Sequence, residues 1–178
     1  MLKKYLGVAT ALALMTPVGV IAAKPAGAAV VLKCAKPSGS VNFKPGITPT
    51  PRIQTTSFTL PVKNCTGTAG FTKGTSSGSS KGTKKTSCAT FAQAANQKTT
   101  VTITWNNGKK STAKLGTTIV PGAPNTITAV VSGKITGGNA FVGKTIKTKV
   151  KVTIDLTCTA SHPIKKATLT GIDPLTIS

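Results

Sequence analysis

The run KTIKTKVKVTIDLTC, from Lys144 to Cys158, alternates between polar and apolar residues over almost its whole length. Successive side chains of a β-strand point to opposite faces of a sheet, so this alternation predicts a half-buried strand. The polar face carries Lys147, Lys149 and Lys151, called here the lysine row. The face predicted to be buried contains Ile146, Thr148, Val150, Val152, Ile154, Leu156 and Cys158.

The lysine row has two interpretations. Lysines on the wet face of a strand keep it soluble, and on an edge strand they prevent pairing with another chain. Alternatively, the row is a binding surface for an anionic ligand. The alternation decides which face is buried, but it does not choose between these interpretations.

Other short alternating runs, rich in threonine, recur between glycine, proline and asparagine; examples are SVNF, SFTLPV, TTVTITW, STAKL, TITAVV and ATLTGI. The branched Cβ of threonine packs well on a pleated sheet. Roughly eight to ten strands at this spacing are typical of an all-β sandwich or a barrel. We predict an antiparallel β-sandwich, immunoglobulin-like or Greek-key, because small antiparallel domains commonly bury one face of each sheet and leave the other in water.

The first 29 residues have the features of a secretory signal peptide. Lys3 and Lys4 precede an apolar stretch, and Ala26, Ala28 and Ala29 provide small residues suited to cleavage. A retained membrane anchor is the alternative, but a proline and a glycine interrupt the apolar run. We therefore expect a secreted or envelope-associated protein in which residues 30–178 form one domain, with no transmembrane segment after cleavage.

The chain is strongly basic, with 23 Lys and Arg against two acidic residues. Without Lys3, Lys4 and Lys24, 20 cations face Asp155 and Asp173, a net charge of +18. Such a surplus attracts polyanions and affects association and solubility rather than fold.

Four cysteines in the expected secreted region predict two disulfides. Of the three possible pairings we favour Cys65 with Cys88 and Cys34 with Cys158. The first pair would close a glycine-rich and serine-rich segment, and the second would join an early strand to the long late one. Zinc is the alternative, but the cysteines lack the short paired spacing of zinc ligands.

The segment 71–87 is rich in glycine, serine, threonine and lysine and offers little to bury, so it is predicted to be a mobile loop. It carries Lys81, Lys84 and Lys85.

TITWNNGKKSTAKL is predicted to be a hairpin. A two-residue turn would put Trp105 directly opposite Lys110. Shifting one strand by one residue relative to the other would put Ser111, Ala113 and Leu115 on the face of Trp105 instead. Because register follows the buried face, we predict a bulge or a longer loop at the tip.

The sequence offers few groups for catalysis. General acid–base chemistry needs a placed proton carrier and usually a partner, and the expected mature chain has His162, Asp155 and Asp173. His162 precedes a proline and is predicted to lie in a turn. We therefore expect no enzyme, no cofactor and no metal site.

Several segments together resemble a known group: a strand ending in Cys34, GSVNFKPGIT, VTITWNNGKKSTAKL, GKITGGNAFVGKTI and the closing TLTGIDPLTIS. They are similar to the β-rich, threonine-rich secreted proteins of actinobacteria that have no assigned function. The resemblance covers nearly the whole expected mature chain, its motifs are structural ones, and it implies no catalytic or ligand residues to carry over. Proteins of this group are usually less rich in lysine. The likeness to small secreted immunoglobulin-like sandwiches from mycobacteria concerns the fold alone.

These observations predict a non-catalytic domain that adheres to an anionic envelope polymer or an acidic glycan, with non-specific nucleic-acid binding as a further possibility. The alternative is a protein-binding module or inhibitor that presents the 71–87 segment or the tip from Asn106 to Lys110. The sequence does not determine the oligomeric state. The polyanion-binding residues predicted are Lys147, Lys149, Lys151, Lys81, Lys84, Lys85, Lys109 and Lys110.

Overall fold

The computed structural model describes residues 29–91, 97–123, 125–154 and 157–178. This part of the chain is built from β-strands joined by short connections. The strands are β1 (Leu32–Cys34), β2 (Ser38–Ile47), β3 (Arg52–Val62), β4 (Thr66–Gly67), β5 (Gly74–Thr86), β6 (Gln97–Trp105), β7 (Lys110–Pro121), β8 (Thr126–Gly138), β9 (Thr145–Thr153), β10 (Ile164–Gly171) and β11 (Leu175–Ile177).

Eight of these strands form a closed antiparallel barrel in the order β2-β3-β5-β6-β7-β8-β9-β10, with β10 paired back to β2. The closing ladder places Val41 opposite Ala167. The prediction of an all-β antiparallel domain is confirmed, but the prediction of a sandwich is wrong. A strand with one buried face fits either architecture, and the closing ladder, which distinguishes them, joins residues more than a hundred positions apart.

Three short strands extend the barrel on one side. β11 pairs with the start of β9, where Ile177 lies opposite Ile146, and β1 pairs with β11. β4 then pairs with β1. Leu32 and Ile177 are fully buried, so the extension closes over apolar side chains at this end of the barrel.

The apolar core consists of two clusters. One surrounds Trp105, near the turn between β6 and β7, and we call this the Trp105 end. The other contains Phe91 and Val152 and lies toward the opposite end, called the Cys88 end. Phe58 and Val131 contact both clusters. The core therefore consists of two buried clusters bridged by these partly buried residues, and the space between the clusters is described below.

The predicted faces of the late strand are confirmed. Ile146, Val150 and Val152 are buried, and Lys147 and Lys151 are exposed, whereas Lys149 is partly buried. The strand itself, β9, ends at Thr153. Ile154 is buried as predicted, and Leu156 lies outside the described residues.

The prediction of a loop at 71–87 is wrong, because most of it is the barrel strand β5. Its inward positions carry only glycine and serine, and the ring of Phe58 lies against one of them. A Cβ added to Gly78 would come within 2.9 Å of that ring. The segment lacks apolar residues because its neighbours fill part of the space on its inner side. The inward residues are Gly74, Ser76, Gly78 and Ser80.

The predicted hairpin between β6 and β7 is confirmed, and so is the prediction that its loop is longer than two residues. The backbone N–H of Trp105 donates to the carbonyl of Lys109 at 2.8 Å, which leaves a three-residue loop from 106 to 108. Ile103 then lies opposite Ser111, and Val101 opposite Ala113. The register is the one that buries the apolar residues on both strands.

Two disulfides are present, as predicted, but the predicted pairing is wrong. The bridges join Cys34 to Cys65 and Cys88 to Cys158. Cys34 ends β1 and Cys65 directly precedes β4, and these strands are paired. Cys88 and Cys158 lie in connections at the other end. Each end of the barrel therefore has its own covalent link, which the spacing of the cysteines does not reveal.

Candidate functional site

The lysines predicted to bind polyanions lie in three separate regions. The lysine row is on β9, whereas Lys81, Lys84 and Lys85 are on β5. These strands are four steps apart in the ring of eight, so they lie on opposite sides of the barrel. Lys109 and Lys110 are at the Trp105 end. The predicted residues therefore do not form one surface.

The lysine row does not guard a sheet edge. β9 is paired on both sides, with Lys149 opposite Val130 of β8 and Lys151 opposite Thr170 of β10. Lys147 lies opposite Thr176 of β11. The edge-protection interpretation is therefore wrong, and solubility and binding remain as explanations.

Two further lysines extend the row across the outside of the barrel. Lys134 of β8 is opposite Thr145, two residues before Lys147 on β9. Lys114 of β7 is directly opposite Lys134. The sequence analysis missed both, because neither belongs to an alternating run of lysines and only the register brings them together. We call the resulting surface the lysine face: Lys114, Lys134, Lys147, Lys149 and Lys151.

One acidic residue borders the lysine face. Asp173 is the only acid in the part of the chain that the structure describes. Its backbone N–H donates to the carbonyl of Lys149 at 3.1 Å, and its carbonyl accepts from Thr148 Oγ1 at 3.2 Å. Five cations thus share one side of the barrel with a single described carboxylate, which makes this side strongly positive.

The barrel also encloses a cavity of about 190 Å³ between the two core clusters. Most of its wall is apolar and comes from every strand of the ring. Short side chains such as Ser76, Thr99 and Ala129 point toward it and leave it open. The longer apolar residues of the wall are Val41, Phe43, Phe58, Leu60, Val62, Phe91, Val101, Leu115, Ile119, Ile127, Val131, Ile146, Val150, Val152, Leu169 and Leu175.

The wall of the barrel is split between β5 and β6 at the Cys88 end. Their ladder ends with Ser79 opposite Thr100, although β5 stays paired with β3 as far as Thr86. If the ladder continued for two more residue pairs, Lys81 would lie directly opposite Lys98. Like charges in that position are destabilising, although the intact ladder at Lys114 and Lys134 shows that such a pair does not by itself separate two strands.

A bulge in β5 lies close to the split. Thr55 lies opposite Lys81 and Ile53 opposite Lys85, so Gln54 faces the three residues 82–84. Gln54 is 4% exposed, and its side-chain amide exchanges two hydrogen bonds with the backbone of Gly46, at 3.0 and 3.2 Å. A bulge bends its strand, and this one lies just beyond the point where the ladder between β5 and β6 ends.

At the split lies a second pocket of about 370 Å³ that borders the interior cavity. The two share part of their lining, including Ser80, Gln97 and Phe91. Three exposed cations lie around this opening, and we call Lys81, Lys84 and Lys98 the mouth lysines. None of the residues that line either space is acidic.

The Trp105 end is held by side-chain amides. Asn106 Oδ1 accepts from the backbone N–H groups of Thr72 and Lys73, at 3.1 and 3.2 Å. Asn107 Nδ2 donates to the carbonyl of Gly70 at 3.2 Å. In the neighbouring turn Val142 is 56% exposed. The tip is therefore fixed, and an apolar side chain is exposed beside it.

His162 lies at the surface in a turn before β10. Its Nδ1 is 3.1 Å from Ser161 Oγ and 3.4 Å from Thr159 Oγ1. These hydroxyls belong to its own turn, and Asp155 lies outside the described residues. The described contacts of His162 are therefore local ones.

Three observations concern larger parts of the chain. Among the described residues no group of three or more His, Cys, Asp or Glu could hold a metal ion. The same residues include no helix long and apolar enough to cross a membrane. Comparison with protein-family models, curated proteins and solved structures finds no match for this chain.

Proposed function

We propose that this protein is a secreted, non-catalytic, cationic barrel that adheres through its lysine face to anionic polymers of the cell envelope or its surroundings. The observation that carries this proposal is the lysine face itself. Adjacent paired strands hold its five cations on one side of a closed barrel.

The geometry suits a polymer with repeating negative charge. Residues on one face of a strand are about 6.7 Å apart, and neighbouring strands are about 4.8 Å apart. Successive cations of the lysine face can thus meet successive phosphates or carboxylates. Lysine binds such groups as a point charge, without the planar geometry that arginine imposes. The proposed partners are an anionic envelope polymer or an acidic glycan, with nucleic acid bound non-specifically.

The disulfides support a location outside the cytoplasm. Both ends of the barrel are linked by cystine, and such bridges persist in oxidising compartments. The expected signal peptide, residues 1–29, lies almost wholly outside the described residues. Secretion therefore remains part of the proposal.

The lysine row provides the main test. We expect the triple variant Lys147→Gln, Lys149→Gln, Lys151→Gln to reduce the slope of log K against log salt on duplex DNA by about 2 to 3, because each lost phosphate contact removes about 0.9. Retention on isolated envelope should fall in parallel. The measurement is binding of the purified domain to DNA and to envelope across a salt series.

The matched control removes the same charge from scattered positions, Lys36, Lys73 and Lys165, which are all exposed. This variant should keep a slope within about one unit of the wild type. Equal losses in the two triple variants would mean that only bulk charge matters, and would contradict a binding role for the lysine face.

The Trp105 end supports a second candidate, a protein-binding module. Its tip is fixed by Asn106 and Asn107, and Val142 is exposed beside it. Apolar contacts survive high salt, whereas polyanion adhesion weakens steeply. A partner from culture supernatant that stays bound at high salt, and that Val142→Ser releases, would favour this candidate. A partner equally bound by the Val142→Ser variant would contradict it.

A further inference from the structure

We infer that the interior cavity is a binding site for a single-chain amphiphile with an anionic head, of the fatty-acid type. Its alkyl chain would lie between the two core clusters, and its carboxylate would lie at the mouth lysines. This site is distinct from the lysine face and does not depend on the proposed function.

The cavity has the size and chemistry for an alkyl chain. An apolar cavity of about 150 Å³ in a protein core can stay dry and bind a small hydrocarbon. This one measures about 190 Å³, and its wall is mainly apolar. Barrels of eight strands have an interior that side chains can fill or that can hold one small ligand. Here the side chains do not fill it.

The unfilled space has a cause in the sequence. Along β5 the inward residues are two glycines and two serines, although the other strands bring valine, leucine, isoleucine and phenylalanine. Ser76 is 6% exposed and points into the cavity. Core positions normally carry side chains that pack to crystal-like density. The rings of Trp105 and Phe58 cover the two glycines, whereas the two serines, Ser76 and Ser80, line the cavity and leave it open beside them.

The split between β5 and β6 provides the entry. It begins where the ladder ends, at Ser79 and Thr100, and the pocket in it shares Ser80, Gln97 and Phe91 with the interior cavity. A chain entering from the side would pass Phe91 to reach the apolar wall. The bulge opposite Gln54 lines this opening, and the Gln54 side chain is held by its two hydrogen bonds to Gly46.

Charge at the mouth specifies the head group. Lys81, Lys84 and Lys98 surround the opening, and its lining contains no acid. Lysine stems are long and flexible, so an ammonium group can reach a carboxylate at the rim while its methylenes cover apolar surface. Ser80 and Gln97 add hydroxyl and amide groups that can hydrogen-bond to the same head. An apolar interior with a cationic rim complements an anionic amphiphile.

The first experiment titrates the purified disulfide-bonded protein with saturated carboxylates from butyrate to palmitate, by calorimetry or by displacement of a fluorescent fatty acid. We expect saturable one-to-one binding that strengthens with chain length and then levels off. The alcohol of the same chain length should bind about tenfold more weakly. No saturable binding at any chain length, or equal affinity for acid and alcohol, would overturn the inference.

The second experiment locates the head group. The triple variant Lys81→Gln, Lys84→Gln, Lys98→Gln should bind the carboxylate about tenfold more weakly, since three exposed ion pairs each contribute modestly. It should bind the alcohol as the wild type does. The matched control is the lysine-row triple variant, which should bind the carboxylate within about twofold of the wild type. Equal losses in both triple variants would overturn the proposed location.

The third experiment fills the cavity. Ser76→Leu and Ala129→Leu each add an apolar side chain to the wall, and either should abolish carboxylate binding in a protein that still unfolds cooperatively. Two variants are used, so that the experiment still gives a result if one of them does not fold. Unchanged binding in a folded variant would show that the ligand lies elsewhere. Adhesion to DNA should not change in these variants, so the two proposals can fail independently.

Discussion

Replacing Trp105 with alanine is expected to lower the free energy of unfolding by about 3 to 5 kcal/mol, the usual cost of truncating a large buried aromatic side chain. Trp105 is 2% exposed and contacts Phe71 and Phe141, with ring centroids 5.6 Å away in both cases. Its Nε1 donates to Ser111 Oγ at 2.9 Å, and that hydroxyl donates to the carbonyl of Ala140 at 2.9 Å. Alanine would leave a cavity and remove the first of these hydrogen bonds.

The measurement is urea unfolding followed by circular dichroism, since this variant has no tryptophan left to report by fluorescence. Thr104→Ala on the exposed face of the same strand is the control and should stay within about 0.5 kcal/mol of the wild type. Trp105→Phe keeps most of the packing and should fall between the two. A loss below 1 kcal/mol for Trp105→Ala would contradict a central role for Trp105 in this cluster.

Removing the bridge at the Cys88 end is expected to cost about 4 kcal/mol, because it constrains a long loop in the unfolded chain. The two cysteines are 70 residues apart. The double variant Cys88→Ser, Cys158→Ser should therefore lose a large share of a stability that is typically 5 to about 15 kcal/mol for a domain. Urea midpoints under non-reducing conditions measure the loss.

The other bridge is the matched comparison. Cys34 and Cys65 are 31 residues apart, and the chain-entropy model gives a slightly smaller cost of about 3.5 kcal/mol for Cys34→Ser, Cys65→Ser. Digestion without reduction, followed by mass spectrometry, checks the pairing directly. A cross-linked peptide that joins Cys65 to Cys88 would contradict the structure, whatever the stabilities.

The parts of the fold that the sequence predicted are those in which local alternation is strong. The buried and exposed faces of β9 follow from its regular pattern. The longer loop between Trp105 and Lys110 follows because only that register buries Ala113 on the face of Val101. In both cases a period of two along the strand, with burial on one side, is enough to determine the outcome.

The missed features depend on contacts between distant residues. β5 has no apolar alternation, because Phe58 and other residues of neighbouring strands provide the apolar groups on its inner side. Low apolar content predicts a mobile loop, but in a barrel a neighbouring ring can occupy the place of a missing side chain. The bridge between Cys88 and Cys158 joins connections that only barrel closure brings together.

The candidate sites likewise divide into features that local alternation reveals and features that depend on contacts between distant residues. The lysine row was visible because its members alternate along one strand. Lys114 and Lys134 join it only through the ladders of β7, β8 and β9. The mouth of the cavity depends on a ladder that stops at Ser79 and on a bulge opposite Gln54, and neither has a local sequence signal apart from the glycine at 82.

The order of strands around the barrel also has a consequence for how the chain reaches its final state. Seven of the eight ladders join barrel strands that follow one another along the chain, and only β10 with β2 joins the two ends of the series. The first seven can grow from local hairpins, whereas the last must wait for the curled sheet to close. Until then β2 and β10 are free edges, open to pairing with other copies. Aggregation during refolding should therefore start at these two strands.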